Sequence, residues 1–164
     1  MDRGDSLSVF TDGGARGNPG PAAIAVVFLD EKNQVLLKEA KTIGWATNNL
    51  AEYQALLEAL RHLKVFLKTR KFQKIKFYSD SQLLVNQILG IYKVKDINLK
   101  PLYEKIKQGL AGLGVDYEVI HIYRHLNNLT DSLLNQALDA EKRKNSRSYQ
   151  NRKRQGDSGG SLQG

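Results

Sequence analysis

Four carboxylates stand where the pattern of the chain changes from one element to the next. They are Asp12 in Val9-Phe10-Thr11-Asp12-Gly13-Gly14, Glu52 in Thr47-Asn48-Asn49-Leu50-Ala51-Glu52-Tyr53, Asp80 in Tyr78-Ser79-Asp80-Ser81-Gln82, and Asp131 in Leu129-Thr130-Asp131-Ser132. Carboxylate oxygens are ligands for hard divalent cations. Mg²⁺ takes one or two of them per ion and completes its shell with water and substrate phosphate. Two such ions clamp the attacking and leaving oxygens of an in-line phosphoryl displacement. If one fold gathers these acids, that is the chemistry they suit.

Each acid has an ordinary role as well. Asp12 meets a glycine-rich turn, where Asp bonds local amides. Glu52 follows Asn49 by three residues, close to capping-box spacing. Asp80 lies between a strand and a helix, where an N-cap Asp is routine. Asp131 falls in the first turn of a helix, where negative charge suits the helix dipole. The set is more telling than its members, because clustered carboxylates repel one another strongly unless a cation neutralises them.

The elements that must position these acids follow from the apolar periodicity. Leu7 to Asp12 reads as a short buried strand, followed by a Gly/Pro-rich turn from Gly13 to Pro21. Ala22 to Leu29 is a central strand, Asp30 to Asn33 a hairpin turn, and Val35 to Trp45 a third strand of an antiparallel meander. The period then changes. Leu50, Tyr53, Leu56/Leu57, Leu60, Leu63 and Phe66/Leu67 recur at helical spacing, predicting a helix from about Asn49 to Thr69. Ile75 to Tyr78 is a strand, Ser81 to Leu89 a helix closed by Gly90, and Leu99 to Leu110 another helix. Tyr117 to Tyr123 is a fifth strand, and Thr130 to Lys142 a last helix. A meander followed by alternating strands and helices gives an α/β class with a five-stranded mixed sheet flanked by helices.

Bulk properties narrow the setting. A chain of 164 residues makes one domain with a real core. The absence of cysteine excludes disulfides, thiolate catalysis and Cys-ligated zinc. No apolar stretch follows Met1-Asp2-Arg3-Gly4-Asp5 to act as a signal peptide, and no run approaches the roughly 18 residues of a membrane span. A cytoplasmic protein without membrane contact is expected. The net charge of +8 points to a polyanionic partner. Residues 141–164 hold seven of the 25 Lys/Arg and two of the 17 Asp/Glu, so the tail carries +5 and the body only +3. From Asn145 onward the chain is Arg and Lys among Ser, Asn, Gln and Gly, with too little apolar surface to offset ordering entropy. It is expected to be a flexible tail, either simply solvated or an arm that grips nucleic-acid backbone.

The sequences around the acids resemble type 1 ribonuclease H. Thr11-Asp12-Gly13-Gly14-Ala15 with Gly17-Asn18-Pro19-Gly20, then Thr47-Asn48-Asn49 before Ala51-Glu52, then Ser79-Asp80-Ser81-Gln82, are similar to that family's three leading motifs. Asn127-Asn128-Leu129-Thr130-Asp131 followed by Leu134-Asn135 is similar to its fourth, with Thr130 where Ala is usual. The likeness runs from about Leu7 to Ala140, and the division it implies is a ribonuclease H domain over 1–143 and a flexible basic tail over 144–164.

What the resemblance implies is a ribonuclease H-like fold and metal-dependent hydrolysis of the RNA strand of RNA–DNA hybrids, leaving 5′-phosphate and 3′-hydroxyl ends. Two Mg²⁺ ions, or Mn²⁺ in their place, would be held by Asp12, Glu52, Asp80 and Asp131, with Asp12 bridging them. Gly13, Gly14, Ala15, Arg16 and Asn18 would approach the minor groove, where 2′-hydroxyls distinguish RNA from DNA. Asn48, Asn49 and Gln82 would contact the RNA strand. The bacterial branch carries an auxiliary His before the last Asp and a long basic protrusion. Here Arg124 is the candidate for the auxiliary role, with His125 beside it, and only Lys93, Lys95 and Lys100 stand where the protrusion would be. His62 and His121 look structural. The branch lacking the protrusion includes members that accept double-stranded RNA, so the expected partners are an RNA–DNA hybrid and, secondarily, double-stranded RNA, bound by a monomer.

Other classes fit less well. A junction resolvase of the same fold does not need the Gly-rich turn and Thr47-Asn48-Asn49, which suit RNA-strand reading. A non-catalytic nucleic-acid-binding module gains nothing from acids beside phosphate. Gly13-Gly14-Ala15-Arg16-Gly17 superficially matches a phosphate loop, but no Gly-Lys-Ser/Thr follows, and a strand rather than a helix comes next.

Overall fold

A computed structural model of the chain describes residues 5–157. Its strands are β1 (Ser6–Ala15), β2 (Gly20–Leu29), β3 (Val35–Ala46), β4 (Lys74–Ser79) and β5 (Asp116–His121). Its helices are α1 (Asn48–Phe66), α2 (Gln82–Ile88), α3 (Lys100–Ala111) and α4 (Asn128–Asp157), with one 3₁₀ turn at Arg124–Leu126. They form one five-stranded sheet in the order β3-β2-β1-β4-β5. β1, β2 and β3 run antiparallel, while β4 is parallel to β1 and β5 to β4. The mixed α/β architecture read from the sequence is the one observed.

Alternation along β1 divides its residues between two faces. Leu7 and Val9 join Val26, Phe28, Ile75 and Phe77 in a core covered by Tyr53, Leu56, Leu60 and Leu63 of α1 and by Ile106 and Leu110 of α3. On the other face Ala23 and Ala25 of β2 receive Leu134 and Leu138 of α4. The small alanines let that helix settle close to the sheet. Among the described residues no helix is long and apolar enough to cross a membrane.

Two sequence expectations need correction. β1 does not stop at Asp12. It continues to Ala15, because Gly13, Gly14 and Ala15 pair with Ile24, Ala23 and Ala22, and the turn shrinks to Arg16–Pro19. Nor is the segment after Lys142 without regular structure. α4 continues to Asp157, and residues 142–156 are exposed throughout. Residues 128–155 contain neither Gly nor Pro, and the basic stretch is rich in Lys, Arg and Gln, all good helix formers. The packed first half of α4 supplies the nucleus, so only propagation is needed beyond it. The rest of the expected tail, 158–164, lies outside the described residues.

Candidate active site

Local structure frees Glu52 and Asp80 from capping, while Asp131 keeps its place in the first turn of α4. Thr47, not Asn49, caps α1, its hydroxyl accepting from Leu50 N at 3.1 Å, which leaves Glu52 inside the helix and buried. Ser81, not Asp80, caps α2 by accepting from Leu84 N at 3.2 Å. Asp80 sits just past the end of β4, outside the cap of α2. Asp12 lies within β1, 6% exposed, beside Ala25 of β2.

Gly13 is what lets α1 reach Asp12. A Cβ there would stand 2.2 Å from Ala51 O and 2.5 Å from Glu52 N, so the helix backbone lies directly on the strand. Carboxylate oxygens of Asp12, Glu52 and Asp80 consequently fall within 4.8 Å of one another. Asp131, in the first turn of α4, stands outside that closest group but near enough for its charge to act on Asp12.

The electrostatics are those of crowded anions. Burial, then the charges of Asp80 and Asp131, push the Asp12 carboxyl up to about 7, although hydrogen bonds with Glu52 and the Gly13 backbone work the other way. Burial, then the charges of Asp12 and Asp80, raise Glu52 well above the usual carboxylate range. Glu52 Oε2 is buried and has no hydrogen-bond partner. Such an oxygen is costly to leave unsatisfied. An all-oxygen donor set with an orphaned buried carboxylate oxygen fits a hard divalent cation such as Mg²⁺ or Mn²⁺.

One residue was quoted in a motif but not singled out from the sequence. Asn127, 1% exposed, donates through Nδ2 to Asp80 Oδ2 and to Thr11 O, each at 3.0 Å. Its Oδ1 accepts from the Thr130 hydroxyl at 2.6 Å, so Thr130 orients Asn127 from inside the first turn of α4. The sequence signal for this is the Asn that opens the fourth motif, four residues before Asp131.

Three of the expected substrate residues, Ala15, Asn18 and Asn48, form a linked edge. Asn48 Oδ1 accepts from Ala15 N at 2.9 Å, and Asn48 N donates to Asn18 Oδ1 at 3.1 Å, tying the turn to the start of α1. Gly14 packs near Leu134 and Asn48. Arg16 instead turns towards α4, pairing with Asp139 at 2.7 Å. Asn49 and Gln82 are exposed at the starts of α1 and α2. Arg124 and His125 are exposed in the 3₁₀ turn, where the His125 ring stacks on Tyr123. His62 pairs with Glu39 and Glu58 in a network that includes Lys41 and Arg61, while His121 is exposed and meets the Tyr123 ring edge-on.

Comparison with known proteins bears on what such a site does. Residues 10–137 match the family described as reverse transcriptase-like. A ribonuclease HI of Halobacterium salinarum is 37% identical over 138 residues, covering 84% of this chain and 67% of that protein. The bifunctional protein Rv2228c of Mycobacterium tuberculosis is 39% identical over 135 residues, but the match spans only 35% of its length. Among solved structures, RNase H1 of the halophilic archaeon superposes with a TM-score of 0.75 at 36% identity, over 82% of this chain and 98% of that one. LC11-RNase H1, solved in complex with an RNA/DNA hybrid, gives 0.77 at 40% identity over 82% and 98%. With the family match, the archaeal relative and the shared sheet all in agreement, the chain belongs to the type 1 ribonuclease H family.

Proposed function

We propose that this ribonuclease H is a divalent-metal-dependent endonuclease that hydrolyses the RNA strand of RNA–DNA hybrids, leaving 5′-phosphate and 3′-hydroxyl ends. The observation that carries the reading is the convergence of Asp12, Glu52 and Asp80 within 4.8 Å around a buried, unpartnered Glu52 oxygen. These residues and Asp131 would hold two cations, which when bound supply charge neutralisation at the attacking and leaving oxygens of the phosphodiester. All four acids come from one chain, which supports a monomer.

The protein's own groups supply position. Asn127 holds Asp80 in place, and Gly13 lets Glu52 reach Asp12. The edge made by Ala15, Asn18 and Asn48 would lie along the minor groove, where backbone and amide groups read 2′-hydroxyls and keep base sequence largely unread. Arg124, exposed beside the Asn127 segment, would stand near the scissile phosphate as the auxiliary group. The hybrid seen with the LC11 relative supports this choice of substrate.

Cleavage of matched RNA–DNA, RNA–RNA and DNA–DNA duplexes with Mg²⁺ or Mn²⁺, beside Asp80→Asn, tests the proposal. Cutting of the hybrid's RNA strand, lost in the variant and in EDTA, is expected. Additional cutting of RNA–RNA would extend the substrate range to double-stranded RNA. No cleavage of any duplex with either metal would overturn the reading in favour of a junction nuclease or a binding module.

A further inference from the structure

Past the site, α4 outruns what the fold requires. The family match ends at residue 137, and the helix continues for twenty residues more. Leu134 and Leu138 fasten it to β2, after which its side chains leave the sheet. Glu141, Lys142, Asn145, Ser146, Tyr149, Gln150 and Lys153 recur at the three- and four-residue spacing of one helix face. That face is polar, so it has no core to join. It forms one wall of a groove of about 1090 Å³ whose other wall is Pro21, Thr42, Gly44 and Trp45 at the ends of β2 and β3.

Two features of this groove call for a ligand of defined chemistry. Trp45 is 72% exposed and Tyr149 64%, so two large rings stand in water on the same groove. Around them the charge is strongly positive. Glu141 lines the groove, and Asp139 is paired with Arg16, but Lys142 and Lys153 face in, and Arg143, Lys144, Arg147, Arg152 and Arg154 crowd the rest of the extension. Like charges at this density destabilise an exposed helix unless a polyanion neutralises them. Basic side chains interleaved with exposed aromatic rings are the hardware of single-strand binding, where phosphates meet the cations and successive bases stack on the rings.

The groove is also joined to the site. Arg16 lines it and directly follows β1, only four residues beyond Asp12, which at strand rise is about 13 Å of chain. We infer that the groove between the α4 extension and Trp45 holds an unpaired nucleic-acid strand continuing from the end of the hybrid, so that the enzyme favours hybrids with single-stranded flanks. This rests on the hybrid-nuclease reading above and adds to it a preference for substrate architecture. An acidic protein segment would satisfy the cations but not account for two bare aromatic rings beside them.

The test compares the full chain with Trp45→Ala/Tyr149→Ala. Both rings are mostly exposed, so the double variant should fold, which circular dichroism and cleavage of a blunt hybrid would verify. Fluorescence anisotropy in EDTA would measure binding of four labelled probes. They are a blunt RNA–DNA hybrid, the same hybrid with a single-stranded tail, the same hybrid lengthened by an equal stretch of duplex, and the single strand alone. The tailed hybrid should bind about tenfold more tightly than the blunt one. The double variant should lose that gain and most affinity for the free strand while retaining blunt-hybrid binding and cleavage. Equal affinity for tailed and blunt hybrids, or a tail preference that survives the double variant, would overturn the inference. So would an equal gain from the added duplex, since charge alone would then explain it. Failure to cleave blunt hybrid with Mg²⁺ would sink the nuclease reading instead, and the free-strand arm would still decide what the groove binds.

Discussion

Asn127 Nδ2 lies 3.0 Å from Asp80 Oδ2 and, with its second hydrogen, 3.0 Å from Thr11 O. One buried amide therefore joins the loop before α4 to the residue preceding Asp12 and to the acid after β4. Through it, all three segments hold a common position. Groups that orient metal-binding carboxylates in this way commonly change affinity or activity about 10–100-fold when removed. Asn127→Ala should lower cleavage by that order, and loss of its buried hydrogen bonds to Thr11 O and Asp80 should cost about 1–3 kcal/mol of stability. Urea titration and Mg²⁺-dependent cleavage of a hybrid would check both. Activity within a factor of two of the unaltered enzyme would remove Asn127 from the site's architecture.

The contact of Gly13 with Ala51 sets a second expectation. A methyl group there would stand 2.2 Å from a helix carbonyl oxygen, and backbone cannot yield as a flexible side chain would. In Gly13→Ala, α1 must lift off β1 and carry Glu52 with it. Displacements of about 1 Å at a reacting centre cost on the order of 10²-fold in rate, and overpacking typically costs about 1–3 kcal/mol. Gly14→Ala is the control. Its Cβ would meet Leu134 at 3.7 Å, ordinary van der Waals contact, and the variant should fold normally. If the two variants behave alike in melts, the close approach at Gly13 is not what places Glu52.

Much of this was legible because the acids interrupt apolar periodicity. Asp12 breaks a run that began at Leu7, and Glu52 occupies a position otherwise given to the core-facing residues of α1. What stayed hidden depended on distant partners. Asn127 gains its meaning from Thr11 and Asp80, far away along the chain, and no local pattern announces a hydrogen bond of that kind. The caps of α1 and α2 stand at Thr47 and Ser81 rather than at Asn49 and Asp80, because all four have cap chemistry and tertiary geometry chooses among them. The α4 extension departs from the expected flexible tail for another reason. A helix without an apolar face reads as disorder by composition, yet one continuing from a packed segment needs only good helix formers.

Removing one charge from the cluster should help the fold and end the chemistry. Asp80 raises the carboxyls of both Asp12 and Glu52 by its charge, so Asp80→Asn relieves repulsion in metal-free protein. An amide oxygen at this position still accepts from Asn127, so the geometry is kept. Thermal melts in EDTA near neutral pH should show the variant more stable by about 1–2 kcal/mol, with hybrid cleavage down by at least about 10³-fold. A variant that melts lower than the parent in EDTA would mean that Asp80 contributes more by bonding than it costs by charge.

The same crowding predicts an inverted pH profile without metal. Asp12 titrates near 7 in the folded chain because of burial and the charges of Asp80 and Asp131, whereas unfolded Asp titrates near 3.9. Between these values the native state holds a proton that the unfolded state has lost, so stability must fall as pH rises from about 4 to about 7. Glu52, raised in the same direction, adds to the slope. Glu58 acts oppositely. Burial raises it, but hydrogen bonds from Lys41 and Arg61 outweigh that and hold its carboxyl low, so its contribution disappears only as acid protonates it. Stability in EDTA should therefore peak below neutral pH, near the ordinary carboxylate range. Divalent cation should reverse the trend above about pH 6, since it binds the deprotonated acids and stabilises the native state by about 2.7 kcal/mol at a hundredfold excess over Kd. Urea melts from pH 4 to 8, with EDTA and with Mg²⁺, would show two curves that diverge as pH rises. Parallel curves would mean that Mg²⁺ is not held by the titrating carboxylates, and a flat EDTA curve would mean that their burial is relieved in solution.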